Sequence, residues 1–185
     1  IREAQKRVQG NVLEQFLGGM INESEALLRL TRLGYQPDQR YTTLYISGVR
    51  ENTPTARQIE ALCNEQAGAL GFGALVQPYG SAVIVFCEGD ENTARDLALA
   101  VQGRVEERYE AAIVCGVGQC AGDLRAWRES FEQARAAHRT ALQWRLSAPL
   151  AFNEMGVYRL LSLLVGSAEL SRFYRETLGE LAQPG

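Results

Sequence analysis

Few residues in this sequence are of types that do chemistry, and their spacing narrows them further. His138 is the only histidine. It lies one turn past Ala134 on an apolar helical stripe, with no serine or cysteine nucleophile close by in sequence. A core or boundary imidazole is therefore favoured over a general base. The four cysteines, Cys63, Cys87, Cys115 and Cys120, include no Cys-x-x-Cys pair and have only His138 as a helper. That set does not make a zinc site, and no metal ligand is assigned. Cys87 and Cys115 fall in or at the end of apolar runs, where a free thiol behaves as a small core residue, which implies a reduced, cytoplasmic protein. Gly116-Val117-Gly118 follows a strand-like run and precedes a helix, in the manner of a phosphate-binding turn. Position 121 is alanine, Gly122 comes one residue late and no Lys-Ser/Thr pair follows, so a plain strand exit is expected. Glu88, Asp90 and Glu91 lack the alternating oxygen spacing of a calcium loop and are read as favouring the N-terminus of the next helix. The last candidate is the turn Tyr79-Gly80-Ser81-Ala82, which carries no carboxylate.

Hydrophobic periodicity places these residues on elements. Arg2–Leu17 reads as a helix with Val8, Val12, Phe16 and Leu17 on a partial stripe, stopped by Gly18-Gly19. Asn22 caps a second helix, Glu23–Leu33, with Glu25 at its third position and Gly34 after its end. Tyr41–Val49 is rich in β-branched and aromatic residues and reads as a strand. Thr53-Pro54 supplies a cap and first residue for a helix through Leu70, ended by Gly71-Phe72-Gly73. A hairpin follows: Ala74–Gln77, a turn at Pro78–Ser81, then Ala82–Cys87, apolar on both faces and so central in a sheet. Asp90 or Asn92 caps a helix bearing Leu97, Val101, Val105 and Tyr109, and Ala111–Val117 is a further apolar strand. The order strand, helix, strand, strand, helix, strand is that of an α+β, ferredoxin-like antiparallel sheet (a βαββαβ core) with its helices on one face. A long helix, Asp123–Trp144, carries Leu124, Trp127, Phe131, Ala134, His138, Ala141 and Leu142 on one stripe. After Pro149 come a short strand at Leu150–Phe152 and helices at Val157–Val165 and Ala168–Ala182.

Composition excludes several functions. The chain has 185 residues, 46% of them hydrophobic and 22% charged, which is ordinary globular composition. Its longest apolar runs are strand-sized, so no membrane segment is expected. A net charge of −3, with Lys6 the one lysine, argues against a nucleic-acid surface. The arginine-bearing helix around Arg125, Arg128, Arg135 and Arg139 also carries Asp123, Glu129 and Glu132 and reads as a solvated face. The ends at Ile1 and Gln183-Pro184-Gly185 read as cut from something longer.

Three stretches together carry a family resemblance. They are Asn11-Val12-Leu13-Glu14-Gln15-Phe16-Leu17-Gly18-Gly19 with the helix ending at Leu33-Gly34; Gly116-Val117-Gly118 with Ser130-Phe131-Glu132-Gln133-Ala134-Arg135-Ala136-Ala137; and Phe152-Asn153-Glu154-Met155-Gly156-Val157-Tyr158-Arg159-Leu160-Leu161. In this order they resemble the central region of PucR/CdaR-type bacterial transcriptional regulators. The resemblance implies a GGDEF-like domain, related in fold to diguanylate cyclases, between an N-terminal sensor and a C-terminal helix-turn-helix. It divides the chain into a helical connector at 1–36, a degenerate GGDEF-like core at 37–153, and C-terminal helices at 154–185 leading toward a DNA-binding domain not contained here. On the cyclase signature, Tyr79 stands at the first glycine and Gly80 at the second, while Ser81, Ala82 and Val83 replace the acidic portion. The family's other metal-binding acid belongs near the end of the first strand, and Tyr45-Ile46-Ser47-Gly48 has none. Phosphoryl transfer rests on positioning and charge neutralisation, so losing both acids removes the means of catalysis. The expectation is a non-catalytic regulatory domain with no catalytic, cofactor-binding or metal residues, acting as a homodimer. DNA would be reached only through the missing helix-turn-helix. The alternatives are a metabolite- or nucleotide-sensing domain and, less favoured, an active nucleotide cyclase.

Overall fold

The computed structural model describes residues 12–32, 39–49 and 53–158. Expectations for residues 2–11, for Leu33-Gly34, for the break at Pro37-Asp38 and for the helices beyond residue 158 lie outside that range. Two compact units divide the chain, Ile1–Phe152 and Asn153–Gly185. The described part of the second is the end of a short 3-10 turn, Phe152–Glu154, and helical residues 155–158.

In the first unit, helical residues 12–17 (α1) lead to α2 (Glu23–Arg32). Then come β1 (Tyr41–Gly48), α3 (Ala56–Leu70), β2 (Ala74–Tyr79), β3 (Ala82–Glu88), α4 (Glu91–Tyr109), β4 (Ile113–Ala121), α5 (Leu124–Gln143) and β5 (Leu150–Ala151). The sheet order is β2-β3-β1-β4-β5. The first three pairings are antiparallel and β5 joins β4 in parallel. The expected βαββαβ core is present, with β1 and β3 in its interior.

Period-two alternation explains how β1 serves both faces. Leu44 and Ile46 meet α3 and α4 through Ile59, Leu62, Leu97, Val101 and Val105. Tyr41 looks the other way, onto a second cluster with Trp127, Phe131, Ile84, Phe86 and the buried side chains Val12, Leu13, Phe16, Ile21, Ala26 and Leu30. The sheet is therefore covered on both faces, not one. The two crossover helices lie on one side, and α5 with α1 and α2 lies on the other. Leu142, expected on an inward stripe, is 42% exposed.

Local signals hold where capping chemistry is direct. Asn22 Oδ1 accepts from Glu25 N at 2.9 Å, Asp123 caps α5 through Ala126 N, and Gly71 ends α3 with φ +81°. Two details differ. The cap of α3 is Thr55, not Thr53: Gln58 N donates to its hydroxyl while its own N donates to Gln58 Oε1, a complete capping box. The hairpin turn is tighter than expected, because Pro78 and Tyr79 still belong to β2, paired with Val83 and Ala82. Gly80 and Ser81 alone make the turn, Gly80 taking φ +60°. Glycine first in a two-residue loop suits the twist of the strands, and Pro78 is tolerated because β2 is an edge strand.

Candidate functional site

The antiparallel register of β1 with β3 sets Ser47 directly opposite Ala82. These are the end of the first strand and the start of the strand after the hairpin. A hydroxyl and a methyl stand there. Ser47 Oγ lies 2.8 Å from His138 Nε2 on α5 and 3.3 Å from the Gly48 carbonyl. A serine hydroxyl carries one proton. If that proton goes to Gly48, the imidazole Nε2–H donates to serine and cannot act as its base. His138 is 6% exposed, and burial pulls its pKa down to about 4, so the ring is neutral at physiological pH.

Around this pair the side chains are aromatic. The Tyr45 ring meets His138 at 4.9 Å and Tyr79 at 6.4 Å, both edge-on, and Tyr79 meets Phe131 at 5.7 Å. Burial raises the Tyr45 pKa, the Tyr79 phenol raises it further, and Arg135 pulls the other way. Arg135 lies over the Phe131 ring at 5.7 Å and pairs with Glu132 at 2.8 Å. This corner can stack and donate hydrogen bonds. Its carboxylate, Glu132, is taken up by Arg135, and among the described residues no three His, Cys, Asp or Glu side chains converge on a point. Of the signature turn, Gly80 and Ser81 are exposed, Tyr79 is half-buried and Ala82 is buried.

The remaining candidates resolve into structure. Asp90 accepts from Asn92 N and Thr93 N at 3.1 and 3.0 Å, and these bonds, Thr93 N foremost, lower its pKa. Glu91 Oε1 accepts from Cys120 N at 2.8 Å, on a different strand. The acids thus serve the start of α4 and the neighbouring strand. Gly116 and Gly118, expected at a strand exit, instead lie inside β4, which continues to Ala121. A Cβ on Gly116 would stand 2.2 Å from Ala134 O, and one on Gly118 2.1 Å from Ser130 O. The glycines exist to let α5 seat on the strand.

Sequence reasoning missed what Ser130 and Gln133 do. The β1–β4 register shifts between Thr42 and Leu44, a bulge that leaves backbone groups without ladder partners. Ser130 Oγ accepts from Thr43 N at 3.2 Å and donates to Gln119 O at 2.6 Å, and Gln133 Oε1 accepts from Gln119 N at 2.9 Å. Two α5 side chains therefore satisfy the bulge. The available signal was the polar pair at helical spacing within an otherwise apolar stripe, Ser130 and Gln133 flanking Phe131.

Residues 18–140 match the family model of the GGDEF-like domain, and the chain belongs to that family. Among solved structures it is similar to a regulator of polyketide synthase expression from Bifidobacterium adolescentis. That likeness has 15% identity over 78% of this chain and 54% of the other, with a TM-score of 0.50. It is also similar to the active GGEEF domain of a diguanylate cyclase from Vibrio cholerae, at 16% identity over 69% of this chain and 90% of that one, with a TM-score of 0.47. The chain spans about half the length of the polyketide synthase regulator. No curated protein matches. Among the described residues no helix is long and apolar enough to cross a membrane.

Proposed function

We propose that this chain is a non-catalytic regulatory domain of a PucR/CdaR-type transcriptional regulator in the cytoplasm. It self-associates and couples an upstream sensor to a downstream helix-turn-helix. The observation that carries the reading is that the end of the first strand and the start of the strand after the hairpin meet at Ser47 and Ala82, a hydroxyl and a methyl, and by the resemblance a cyclase would carry acids in these two regions. The family match and the likeness to a regulator of polyketide synthase expression support it.

Incubation with GTP and magnesium tests the central claim. No pyrophosphate and no cyclic dinucleotide are expected, and magnesium-dependent turnover would overturn the reading. Light scattering tests self-association, for which a dimer is expected and a strict monomer at high concentration counts against it. A metabolite-sensing domain is the second reading. It is favoured by an open groove of about 1400 Å³ lined by Val49, Glu106, Tyr109, Ile113, Leu142 and Arg145 among others. Saturable heat of binding with a small metabolite would move the assignment there.

A further inference from the structure

The α5 face of the sheet carries one arginine whose role the proposed function does not use. Arg128 Nη2 donates to Phe16 O at 2.6 Å, and its guanidinium lies 4.8 Å from the centre of the Phe16 ring. Phe16 is in the last turn of α1, and Phe16 O also accepts from Gly19 N at 3.0 Å. A cation at a helix C-terminus meets carbonyls that the helix itself cannot satisfy. From the other side, Arg29 of α2 donates to Gln15 Oε1 at 3.1 Å. The end of α1 is thus held by directed bonds from two other helices.

The neighbour of Arg128 on α5 is Trp127, which is fully buried. Its ring stacks on Phe86 of β3 at 5.0 Å and meets Tyr41 of β1 edge-on at 4.9 Å. A continuous chain of contacts therefore runs from the end of α1, through one turn of α5, to the interior strands β1 and β3. Apolar packing of Val12, Leu13, Phe16, Ile21, Ala26 and Leu30 supplies most of the attachment, but such packing is non-directional. The bond from Arg128 is directional.

We propose that Arg128 is a latch that makes α1, α2 and the first turns of α5 a single cooperative unit, so that a displacement of α1 is passed to α5 and not absorbed at Gly18-Gly19. The two states are latched and unlatched, and the second loosens residues 12–32 together with 124–130. This inference stands on the contacts of Arg128 and does not depend on the regulator reading.

Hydrogen exchange on the whole chain tests it, comparing the wild type with Arg128→Ala and Arg128→Lys. Arg128 is exposed, so both variants should fold, which the unfolding midpoint checks. In Arg128→Ala, amides across 12–32 and 124–130 are expected to exchange about tenfold faster, as for a segment opening below the global stability. Amides of α3 and α4 should be unchanged. Arg128→Lys keeps the charge but not the planar fork and should fall between. Faster exchange confined to 12–17 would overturn the proposal, because α1 would then be fraying alone. Uniform acceleration across the chain, or none, would overturn it equally.

Discussion

The sheet has two faces filled by different chemistry. Under α3 and α4 lie Leu44, Ile46, Val83, Val85, Val117 and their helical partners, together with three thiols, Cys63, Cys87 and Cys115. Under α5 the filling includes Ser130, Gln133, Thr43 and His138, all buried, and two glycines that admit the helix backbone. Apolar packing of the first kind tolerates exchange among side chains of similar volume. The second kind does not, because Ser130 and Gln133 answer particular backbone groups and the helix sits nearly on the strand. The α3–α4 face stabilises the domain, and the α5 face also dictates where its helix must go.

Gly116→Ala tests that difference most severely. The added methyl carbon would meet Ala134 O at 2.2 Å and His138 N at 2.3 Å, both backbone atoms that cannot rotate away. We expect a loss of about 4 kcal/mol or failure to fold, at the upper limit of overpacking effects. Denaturant unfolding measures it, and a near-wild-type midpoint would mean that α5 does not approach β4 as described. On the other face, an Ile46→Val change should cost only about 1 kcal/mol.

Ser130→Ala comes next. It removes the acceptor for Thr43 N, in a buried place, and the donor for Gln119 O, in a part-buried one. Two such losses should cost about 3 kcal/mol by the same unfolding measurement. A cost below about 1 kcal/mol would indicate that the bulge finds other partners.

These residues also show where the sequence was and was not legible. The order of elements along the chain, the cap at Asn22, the cap at Asp90 (one of two residues expected there) and the stop at Gly71 follow from nearest-neighbour chemistry, and all are present. The extent of β4 was misread because Gly116 and Gly118 look like breakers when taken locally. Their reason is a helix packed across them, contributed by residues some fifteen positions later. The partner of His138 was invisible for the same reason: Ser47 is 91 positions away. Long-range pairing decides both, and periodicity carries no record of it. At the hairpin, by contrast, the absence of acids was a matter of composition, and the structure adds only that Ser47 and Ala82 are neighbours.

The buried imidazole gives the α5 face a pH dependence that the other face lacks. The folded-state pKa of His138 is about 4, below the 6.5 of a free histidine, because burial penalises the charged ring. The unfolded chain therefore binds a proton that the folded protein refuses. Its contribution is complete above about pH 6.5 and is lost as pH falls toward 4. Allowing for solvent near the half-buried Ser47, the change should be about 2 kcal/mol. Carboxylates titrate at the lower end of this window, so the quantity to measure is the difference between wild type and His138→Gln across it. A difference that stays flat from pH 7 to pH 4 would show that the ring titrates alike in both states.

The α3–α4 face makes the mildest prediction, because native reactivity reads it without any mutation. Burial, followed by the charge of Glu60, pushes the Cys63 thiol up to about 12. Burial, followed by Cys63, raises Cys87 and Cys115. A thiol in that state offers almost no thiolate at pH 8, and reagent cannot reach it without unfolding. Cys120 differs, since it is partly exposed at the end of β4 and its Sγ donates only a weak bond to Gly89 O at 3.4 Å. A disulfide reagent should therefore modify Cys120 alone in the native protein and all four thiols in denaturant. The slow native modification of the other three should follow the unfolding rate, and Ser130→Ala should accelerate it through its effect on stability even though it sits on the opposite face. If Cys63, Cys87 or Cys115 reacts as fast as Cys120 in the folded chain, the dry face is not closed. The contrast between the two faces would then be one of residue type without a difference in access.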